Sequence, residues 1–521
     1  MHIKASDRFA ALGIFLLALA VYVLLSPGRI DIIDGQWRYE VAHNIFSHHS
    51  TAILDPGLLW GGVVGADGQR YSYYGFSGSL AALPLIVISH LLAPGNRDLE
   101  QFLFSMTSQL FAAATVALLF GIYRSQGFVP KIALGWSLVF GFATLFFPLA
   151  TSVFDQTQNA FFVLVSFFCA YRAKLKRSTV TAALGGAAFM ALVNYKEAYI
   201  VLWPGLLWLA GLNQPRQAIR QVRESRTIQI YIASGVIGMV VWGLYNYLRF
   251  GQMIVPHIPG SHPPLLGNPL IGFAGLTLSP GKGLLWYSPA VALIAVGWRP
   301  FWKTCPGLAK GIALAIVAWI LLIASLTFYG GDWSWGPRYW IPILPLLFIA
   351  APFAKFAKKC QRIGVVIVVV TSLGIQCMAV AVDHQRYFFA RGLPPFFWYD
   401  DAFYYFDHSA LIARFAEIRE IGLPENKIDP YGFRPGPHPE SLAYTVFGPA
   451  NMKALINGRQ WMALYPVFSL PRPWPAWSAV IDDPGVEAAR TSALVIVAMT
   501  ALLGICLLAV GARLKVPSDA R

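Results

Sequence analysis

The first residue with a clear chemical use is an aspartate beside an apolar segment. Asp34 lies in the stretch Arg29-Ile-Asp31-Ile-Ile-Asp34-Gly-Gln-Trp-Arg38, a few residues after the first long apolar run. A carboxylate at this place faces both the lipid headgroups and the water. An aspartate that is partly desolvated there can serve as a general base. The alternative interpretation is an ordinary solvated acid, or a residue that caps the helix-like stretch that follows.

A second aspartate occupies a similar place later in the chain. Asp155 stands in the motif Phe154-Asp155-Gln156, just before an apolar run that starts near Thr157. Here too the alternative is a helix cap. Two aspartates that each lie in a turn beside an early apolar run support a functional site better than either one alone. Segments joined by short connections pack as neighbours, so we expect the two carboxylates to converge.

A lysine in a tight turn is the third candidate. Lys196 lies in Asn194-Tyr195-Lys196-Glu197, between two apolar runs. A charge pair is costly in such a turn unless it is used, and an ammonium group suits a phosphate as a point-charge partner. The alternative is that Lys196 and Glu197 pair with each other, or that the lysine extends to the membrane surface.

Four further cations stand beside aromatic residues and beside glycine or proline. Such turns suit a phosphate or pyrophosphate group, although the neighbouring Trp and Tyr are equally typical of interfacial aromatic belts. Lys282 and Arg338 are the more specific pair, because each is fixed between Gly and Pro. The four predicted phosphate or substrate ligands are Arg70, Arg249, Lys282 and Arg338. We add Tyr39, Tyr74 and Glu197 as predicted substrate contacts.

A metal site has little support in the sequence. His48 and His49 are adjacent, would point apart in a strand, and have no carboxylate at ligand spacing. The five cysteines are scattered and form no CxxC motif. We therefore expect no cofactor, and a divalent metal is not indicated.

The composition places these residues in a membrane protein. Of 521 residues, 56% are hydrophobic and 12% are charged, whereas soluble domains carry about 25% charged residues. The mean hydropathy is +0.55. These values exclude a soluble enzyme, a disordered tail protein and a disulfide scaffold. The formal charge of +15 follows from the positive-inside rule in such a chain, so no nucleic-acid partner is expected.

Twelve apolar runs predict an all-α polytopic membrane protein with about twelve transmembrane helices. Each is long enough for about 30 Å of hydrocarbon, the shorter ones with local thinning or snorkelling. The runs are 9–26, 102–122, 132–149, 157–171, 179–194, 198–212, 228–248, 285–298, 311–328, 340–354, 363–382 and 492–512.

The run 77–93 is ambiguous because it is short and contains Pro84 and His90. If it crossed the membrane, the basic clusters at 172–177 and 216–226 would lie outside; if it does not, both lie inside. The positive-inside rule therefore predicts an outer interfacial or re-entrant helix and two cytoplasmic termini. We expect the chain in the cytoplasmic (inner) membrane, with its site on the extracytoplasmic face.

The domain organisation follows from this topology. Residues 1–382 form the predicted transmembrane catalytic module, whose first outer loop is 27–101. Residues 383–490 form a predicted extracytoplasmic domain, and residues 491–521 supply the last transmembrane helix and a cytoplasmic tail. There is no internal repeat, and GxGxxG and Walker motifs are absent.

Over residues 9–382 the pattern resembles the GT-C superfamily of membrane glycosyltransferases. It is most similar to the protein O-mannosyltransferases and the lipid A aminoarabinose transferases. In that family the first-loop motif is Asp-Glu before a helix, and here it reads Asp34-Gly35. The glycine weakens any role that needs paired acids. The turn at Asp155, the turn at Lys196 and the outer helix at 77–93 match the family pattern.

The resemblance implies a GT-C-like fold and an inverting transfer of a sugar from a polyprenyl-phosphate-linked donor. The acceptor would be a lipid, a glycan or a protein, and the protein would also contact membrane lipids. Asp34 would accept or orient the acceptor proton, with Asp155 assisting. The cations that would stabilise the departing phosphate are Lys196, Arg338, Lys282 and Arg249.

Two other classes of protein stay open at this point. One is a multi-pass transporter or lipid flippase, and the other is a non-enzymatic membrane assembly protein. Transporters tend to show internal repeats and charges near the middle of the bilayer. In this sequence the candidate charges gather at the outer ends of the apolar runs.

Overall fold

The structure is a computed structural model of the chain. It describes residues 4–26, 28, 30–54, 62–255, 266–331, 334–381, 406, 409–421 and 484–513. Most of the predicted extracytoplasmic domain, 383–490, lies outside these residues.

Helices make up most of the described chain. The α-helices are α1 (Ala5–Leu24), α2 (Ile33–His48), α3 (Ser77–Leu92), α4 (Arg97–Ser105), α5 (Thr107–Ser125), α6 (Pro130–Phe142), α7 (Phe146–Ala150), α8 (Gln156–Lys176), α9 (Thr179–Tyr195), α10 (Trp203–Ala210), α11 (Ala218–Glu224), α12 (Arg226–Phe250), α13 (Pro269–Thr277), α14 (Leu284–Tyr287), α15 (Ile294–Thr304), α16 (Pro306–Ala324), α17 (Leu344–Phe348), α18 (Lys359–Ala381), α19 (Ala410–Ile421) and α20 (Pro484–Arg513). Short 3₁₀ helices cover Glu197–Leu202, Pro215–Gln217, Pro289–Leu293, Arg338–Trp340 and Ala351–Phe353.

Six helices in the described chain are long and apolar enough to cross a membrane, so the protein is a multi-pass membrane protein. They are Ala5–Leu24, Leu99–Ser125, Arg226–Phe250, Pro306–Ala324, Lys359–Ala381 and Leu494–Gly511. The predicted runs 132–149, 285–298 and 340–354 differ from expectation, because each is broken into shorter helical pieces. Pro289 and Pro345 stand at the starts of two of these pieces, where a proline has no amide hydrogen to continue a preceding helix.

The run 77–93 does form a helix, as predicted. This helix, α3, has 16 residues and is therefore about 24 Å long, shorter than the hydrocarbon layer of about 30 Å. Its first turn packs into the protein: the hydroxyl of Ser79 donates to the carbonyl of Arg38 at 2.9 Å. Its last residues, Leu91 and Leu92, are exposed.

Helix α8 lies at the centre of the bundle, where it packs against α5, α9 and α10. Helix α9 in turn packs on α12, and α1 pairs with α20. Glycine allows α1 and α20 to approach closely, since a Cβ atom at Gly13 would lie only 2.8 Å from the carbonyl oxygen of Gly504. The last helix of the chain therefore returns to the first.

The stretch predicted as the first outer loop, 27–101, carries helix α2 and a small hairpin. Strands β1 (Val63–Val64) and β2 (Arg70–Tyr71) pair antiparallel, with Val63 opposite Tyr71. The adjacent histidines do not lie in a strand as we expected. His48 ends α2, and His49 follows it in the left-handed conformation with φ 53°.

Two glycines allow the loop to approach the helix ends. A Cβ atom at Gly75 would lie 2.0 Å from the carbonyl oxygen of Asn194, at the end of α9. One at Gly35 would lie 2.4 Å from Cγ2 of Val153, in the turn before α8. Gly35 therefore lets α2 sit directly on this turn.

We predict that Gly75→Ala lowers the free energy of unfolding by about 1–3 kcal/mol, because the added carbon meets backbone that cannot move aside. Thermal unfolding of the purified protein in detergent, followed by tryptophan fluorescence, measures the change.

The control is Gly121→Ala in α5, where nothing lies within 4 Å of the added Cβ. That variant should be neutral or more stable by up to about 1 kcal/mol. Equal melting temperatures for the two variants would contradict the close approach at Gly75.

Candidate active site

The three motifs singled out in the sequence meet at one place. We call this group the charge cluster, and its members are Asp34, Arg38, Asp155, Lys196 and Arg338, with Tyr74. Asp34 and Arg38 come from the first two turns of α2. Asp155 precedes α8, Lys196 follows α9, and Arg338 begins a 3₁₀ helix. Ends of four separate helices therefore build the cluster.

Asp155 holds two cations with one carboxylate oxygen. Its Oδ2 atom lies 3.1 Å from Nη1 of Arg38 and 3.5 Å from Nζ of Lys196. Asp155 holds the N-cap position of α8, as the alternative interpretation expected, but its side chain makes no capping hydrogen bond and binds the two cations instead. Lys196 likewise turns to Asp155, and the alternative of a pair with Glu197 does not hold.

The turn that carries Asp155 is fixed through both backbone groups of Val153, one bonded to Arg38 in α2 and the other to Asp31 just before α2. Nη2 of Arg38 donates to the carbonyl of Val153 at 3.0 Å. The amide of Val153 donates to Oδ1 of Asp31 at 3.0 Å. The position of Asp155 relative to α2 is thus set by hydrogen bonds as well as by its ion pairs.

Asp34 pairs with the cation that comes from farthest along the chain. Its Oδ2 atom lies 3.7 Å from Nη1 of Arg338. The Arg338 guanidinium is 4.7 Å from the ring centroid of Phe154 and 5.3 Å from that of Tyr339. Ile32 holds the cap position of α2 and Asp34 lies in its first turn, so Asp34 does not cap the helix. The positive end of the helix dipole stabilises its negative charge.

Tyr74 links Asp34 to the cations that bind Asp155, Arg38 and Lys196. The Arg38 guanidinium and the Lys196 ammonium lie 5.6 Å and 5.5 Å from its ring centroid. Its hydroxyl bonds to Asp34, and Tyr73 donates to it at 3.2 Å. Burial, followed by the charge of Asp34, raises the pKa of Tyr74 well above its usual value. The phenol is therefore neutral and donates a hydrogen bond to Asp34.

Burial divides the cluster into a hidden part and an accessible part. The side chains of Arg38 and Asp155 are 4% and 3% exposed, whereas those of Asp34 and Lys196 are each 16% exposed. Burial of Asp155 raises its pKa, but the charges of Lys196, Arg38 and Arg338 outweigh it and the pKa is lowered. Asp155 is therefore a stable anion, and the accessible groups are one carboxylate and one ammonium.

Arg249 lies outside the charge cluster and holds the loop that carries Tyr74. Its Nη1 atom donates to the carbonyls of Ser72 and Tyr74, and its Nη2 atom donates to Oδ1 of Asn246 at 2.7 Å. These contacts engage the guanidinium with the protein's own carbonyl and amide oxygens. The structure thus places this predicted phosphate ligand in the support of Tyr74.

Lys282 supports the loop that carries Arg338. Its Nζ atom donates to the carbonyl of Ser334 at 2.5 Å, to the Ser334 hydroxyl at 3.2 Å and to the carbonyl of Gly336 at 3.4 Å. Lys282 is buried. Lys282 therefore binds the backbone of the loop before Arg338, although both residues were predicted to face a phosphate.

The other predicted substrate contacts lie apart from these ion pairs. Tyr39 is buried against Phe104 and under the guanidinium of Arg97. Arg70 lies in β2, where its carbonyl accepts a hydrogen bond from the amide of Ile53 at 2.7 Å. Glu197 is half-buried and begins a 3₁₀ helix.

Arg38 is the cluster residue that the sequence reasoning missed. It lies four residues after Asp34, which places both on one face of α2. That spacing was the available signal. Among the described residues, no group of three His, Cys, Asp or Glu side chains is arranged to hold a metal ion.

Comparison with known proteins gives a likeness at the level of the fold. No family model matches the chain, and no curated protein is recognisably similar to it in sequence. A crystal structure of ArnT from Cupriavidus metallidurans bound to undecaprenyl phosphate is 14% identical, with a TM-score of 0.49 over 80% of this chain and 70% of that one. The apo state of ArnT is 13% identical, with a TM-score of 0.45 over 98% of this chain and 77% of that one. ArnT is a lipid A aminoarabinose transferase, one of the groups that the sequence motifs resemble.

We predict that Asp155→Asn lowers the free energy of unfolding by about 3–5 kcal/mol at pH 7, because it leaves the buried Arg38 and the partly buried Lys196 without their counter-ion. Thermal unfolding in detergent between pH 8 and pH 3 measures the change. The difference from wild type should stay constant above about pH 4, the usual pKa of aspartate. It should vanish only as the pH falls through the lowered pKa of the folded state.

The matched control is Glu224→Gln, which removes an exposed carboxylate paired with Arg220. It should cost about 0.5 kcal/mol or less. A difference for Asp155→Asn that already shrinks between pH 7 and pH 5 would show that the pKa of Asp155 is raised and would contradict this account.

Proposed function

We propose that the chain is a glycosyltransferase, which moves a sugar from a polyprenyl-phosphate-linked donor to an acceptor hydroxyl at the extracytoplasmic face of the membrane. One observation carries the proposal. An accessible carboxylate, Asp34, and an accessible ammonium, Lys196, stand together on a scaffold of buried ion pairs. A transfer that takes a proton from a hydroxyl and releases a phosphate anion needs these two kinds of group.

The bonding changes can be assigned to side chains of the cluster. The acceptor oxygen attacks the anomeric carbon and its proton passes to Asp34. The bond from that carbon to the phosphate oxygen breaks on the opposite side, so the configuration inverts. The lipid phosphate departs with the electron pair, and Lys196 and Arg338 offset the negative charge that develops on it.

The charge balance of the cluster favours an anionic ligand. Three cations, Arg38, Lys196 and Arg338, face two carboxylates, Asp34 and Asp155. Among the described residues of the cluster, cations therefore outnumber carboxylates by one. ArnT binds undecaprenyl phosphate in one of its crystal structures, and for this chain we propose a carrier of the same chemical class on the basis of its own cations.

The proposal gives Asp155 a different role from the one that the resemblance implies. A buried anion with a lowered pKa is a poor proton acceptor. Asp155 instead orients Lys196 and Arg38, and Asp34 is the base. Arg249 and Lys282 position Tyr74 and Arg338 and do not contact the phosphate.

The place of the charges favours an enzyme over a transporter. Asp34, Asp155 and Lys196 lie at helix ends, whereas transporters place their functional charges near the middle of the bilayer. We propose an extracytoplasmic site and cytoplasmic termini, as the charge distribution along the sequence predicts.

We predict that Asp34→Asn lowers the kcat of sugar transfer by about 10²–10⁴-fold, since it removes the general base. Lys196→Ala should lower kcat by about 10²–10³-fold, since it removes charge stabilisation of the leaving phosphate. The assay is release of polyprenyl phosphate in proteoliposomes loaded with a panel of polyprenyl-phosphate sugars and a pooled set of lipid, glycan and peptide acceptors.

Two controls keep this test specific. Asp67→Asn changes an exposed aspartate of the same loop, and Lys131→Ala changes an exposed lysine; both should keep wild-type rates. Undiminished transfer by Asp34→Asn would remove Asp34 from the chemistry. Movement of the intact lipid phosphate between leaflets, with no release of sugar from any donor, would favour a flippase.

A further inference from the structure

Residues 409–421, which belong to the predicted extracytoplasmic domain 383–490, pack on the loops next to the charge cluster. Helix α19 begins there, and its first turn is anchored by two hydrogen bonds. The hydroxyl of Ser409 donates to the carbonyl of Pro280 at 2.8 Å. The amide of Leu411 donates to the hydroxyl of Tyr287 at 3.3 Å.

Arg414 is the innermost side chain of this contact. It is fully buried, and its guanidinium lies 5.1 Å from the ring centroid of Trp335, which is buried too. Tyr287 packs edge-on against the same indole, with ring centroids 5.1 Å apart. Trp335 therefore contacts both the Arg414 guanidinium and the ring of Tyr287.

One face of α19 makes this contact. Ala410, Leu411 and Arg414 are buried, whereas Ile412 and Phe415 are exposed. An apolar side chain would fill the place of Arg414 at a lower desolvation cost. Filling of space alone therefore does not account for an arginine here, and its guanidinium contacts the indole of Trp335.

A short, stiff link connects Trp335 to the cluster. Only Gly336 and Pro337 separate Trp335 from Arg338. Gly336 has φ +63°, and a Cβ atom there would lie 2.9 Å from the ring of Tyr287. Proline fixes its own φ angle, and Lys282 bonds to the carbonyls on either side of Trp335. A shift of Trp335 is therefore passed on to Arg338.

We propose that residues 409–414 form a clamp that positions Arg338, with Arg414 as its positioning residue. The clamp fixes Trp335, and through Gly336 and Pro337 it holds the Arg338 guanidinium beside Asp34. The late outer segment thus contributes to the site without touching substrate. The mechanical part of this inference rests on the contacts above, and its catalytic consequence rests on the proposed function.

Hydrogen exchange tests the mechanical part in the full-length protein. Arg414→Ala should raise amide exchange in residues 334–340 and leave α8 and α9 unchanged. Ile412→Ala, on the exposed face of the same helix, is the matched control and should leave exchange in 334–340 at the wild-type level. If Arg414→Ala does not fold, Trp335→Phe keeps the aromatic ring and should raise exchange in the same segment to a smaller extent. Wild-type exchange in both variants overturns the clamp.

Steady-state kinetics test the catalytic part. Arg414→Ala should lower kcat by about 10–100-fold, the cost of misplacing a catalytic group by about 1 Å. Arg414→Lys, which keeps the charge, should recover part of this loss. In an Arg338→Ala background, Arg414→Ala should cause no further loss, because its effect passes through Arg338.

The outcomes separate the two hypotheses. Additive losses in the double variant overturn the assignment of Arg414 to Arg338. Raised exchange in 334–340 with wild-type kcat overturns the catalytic part of the clamp. Raised exchange, with no sugar transfer by the wild-type protein from any donor, supports the clamp and removes the proposed function.

Discussion

The arrangement of the site depends on one buried carboxylate, Asp155, that binds Arg38 and Lys196 together. These three residues come from separate helix ends, and each cation would be costly to bury alone. The shared anion makes their burial possible and so fixes α2 against the starts of α8 and the 3₁₀ helix after α9. Asp34 then has a defined place, because it lies one turn before Arg38 on the same helix.

Around this anion the chain builds a site in which most of the charged groups position the others. Arg249 holds the loop of Tyr74, Lys282 holds the loop of Arg338, and Asp31 holds the turn of Asp155. Asp34 and Lys196 stay partly exposed. Such a division suits the proposed transfer, in which preorganised charges would stabilise the leaving phosphate without having to reorganise. It also explains why so many cations lie near one place in an apolar protein.

Much of this arrangement could be predicted from the sequence, because charge is rare in an apolar chain. Asp34, Asp155 and Lys196 each stood out against their neighbours, and they do lie together. Arg38 did not stand out, since it lies in a polar stretch whose burial depends on the packing of α2 on Val153. The roles of Arg249 and Lys282 were also beyond reach, because a cation beside Gly and Pro binds a phosphate or a backbone carbonyl with the same chemistry. The continuous spans expected at 285–298 and 340–354 failed for a local reason, the prolines within them.

The central claim is that Asp34 is the proton acceptor and Asp155 is a buried counter-ion. Chemical rescue by formate tests it most directly, in Asp34→Ala and Asp155→Ala assayed for sugar transfer in proteoliposomes. Formate is a small carboxylate that can enter the accessible place left by Asp34, whereas the place of Asp155 is closed. The account predicts that formate restores transfer in Asp34→Ala by at least about tenfold, within the range of general-base effects, and leaves Asp155→Ala inactive. Rescue of Asp155→Ala with no rescue of Asp34→Ala would contradict it.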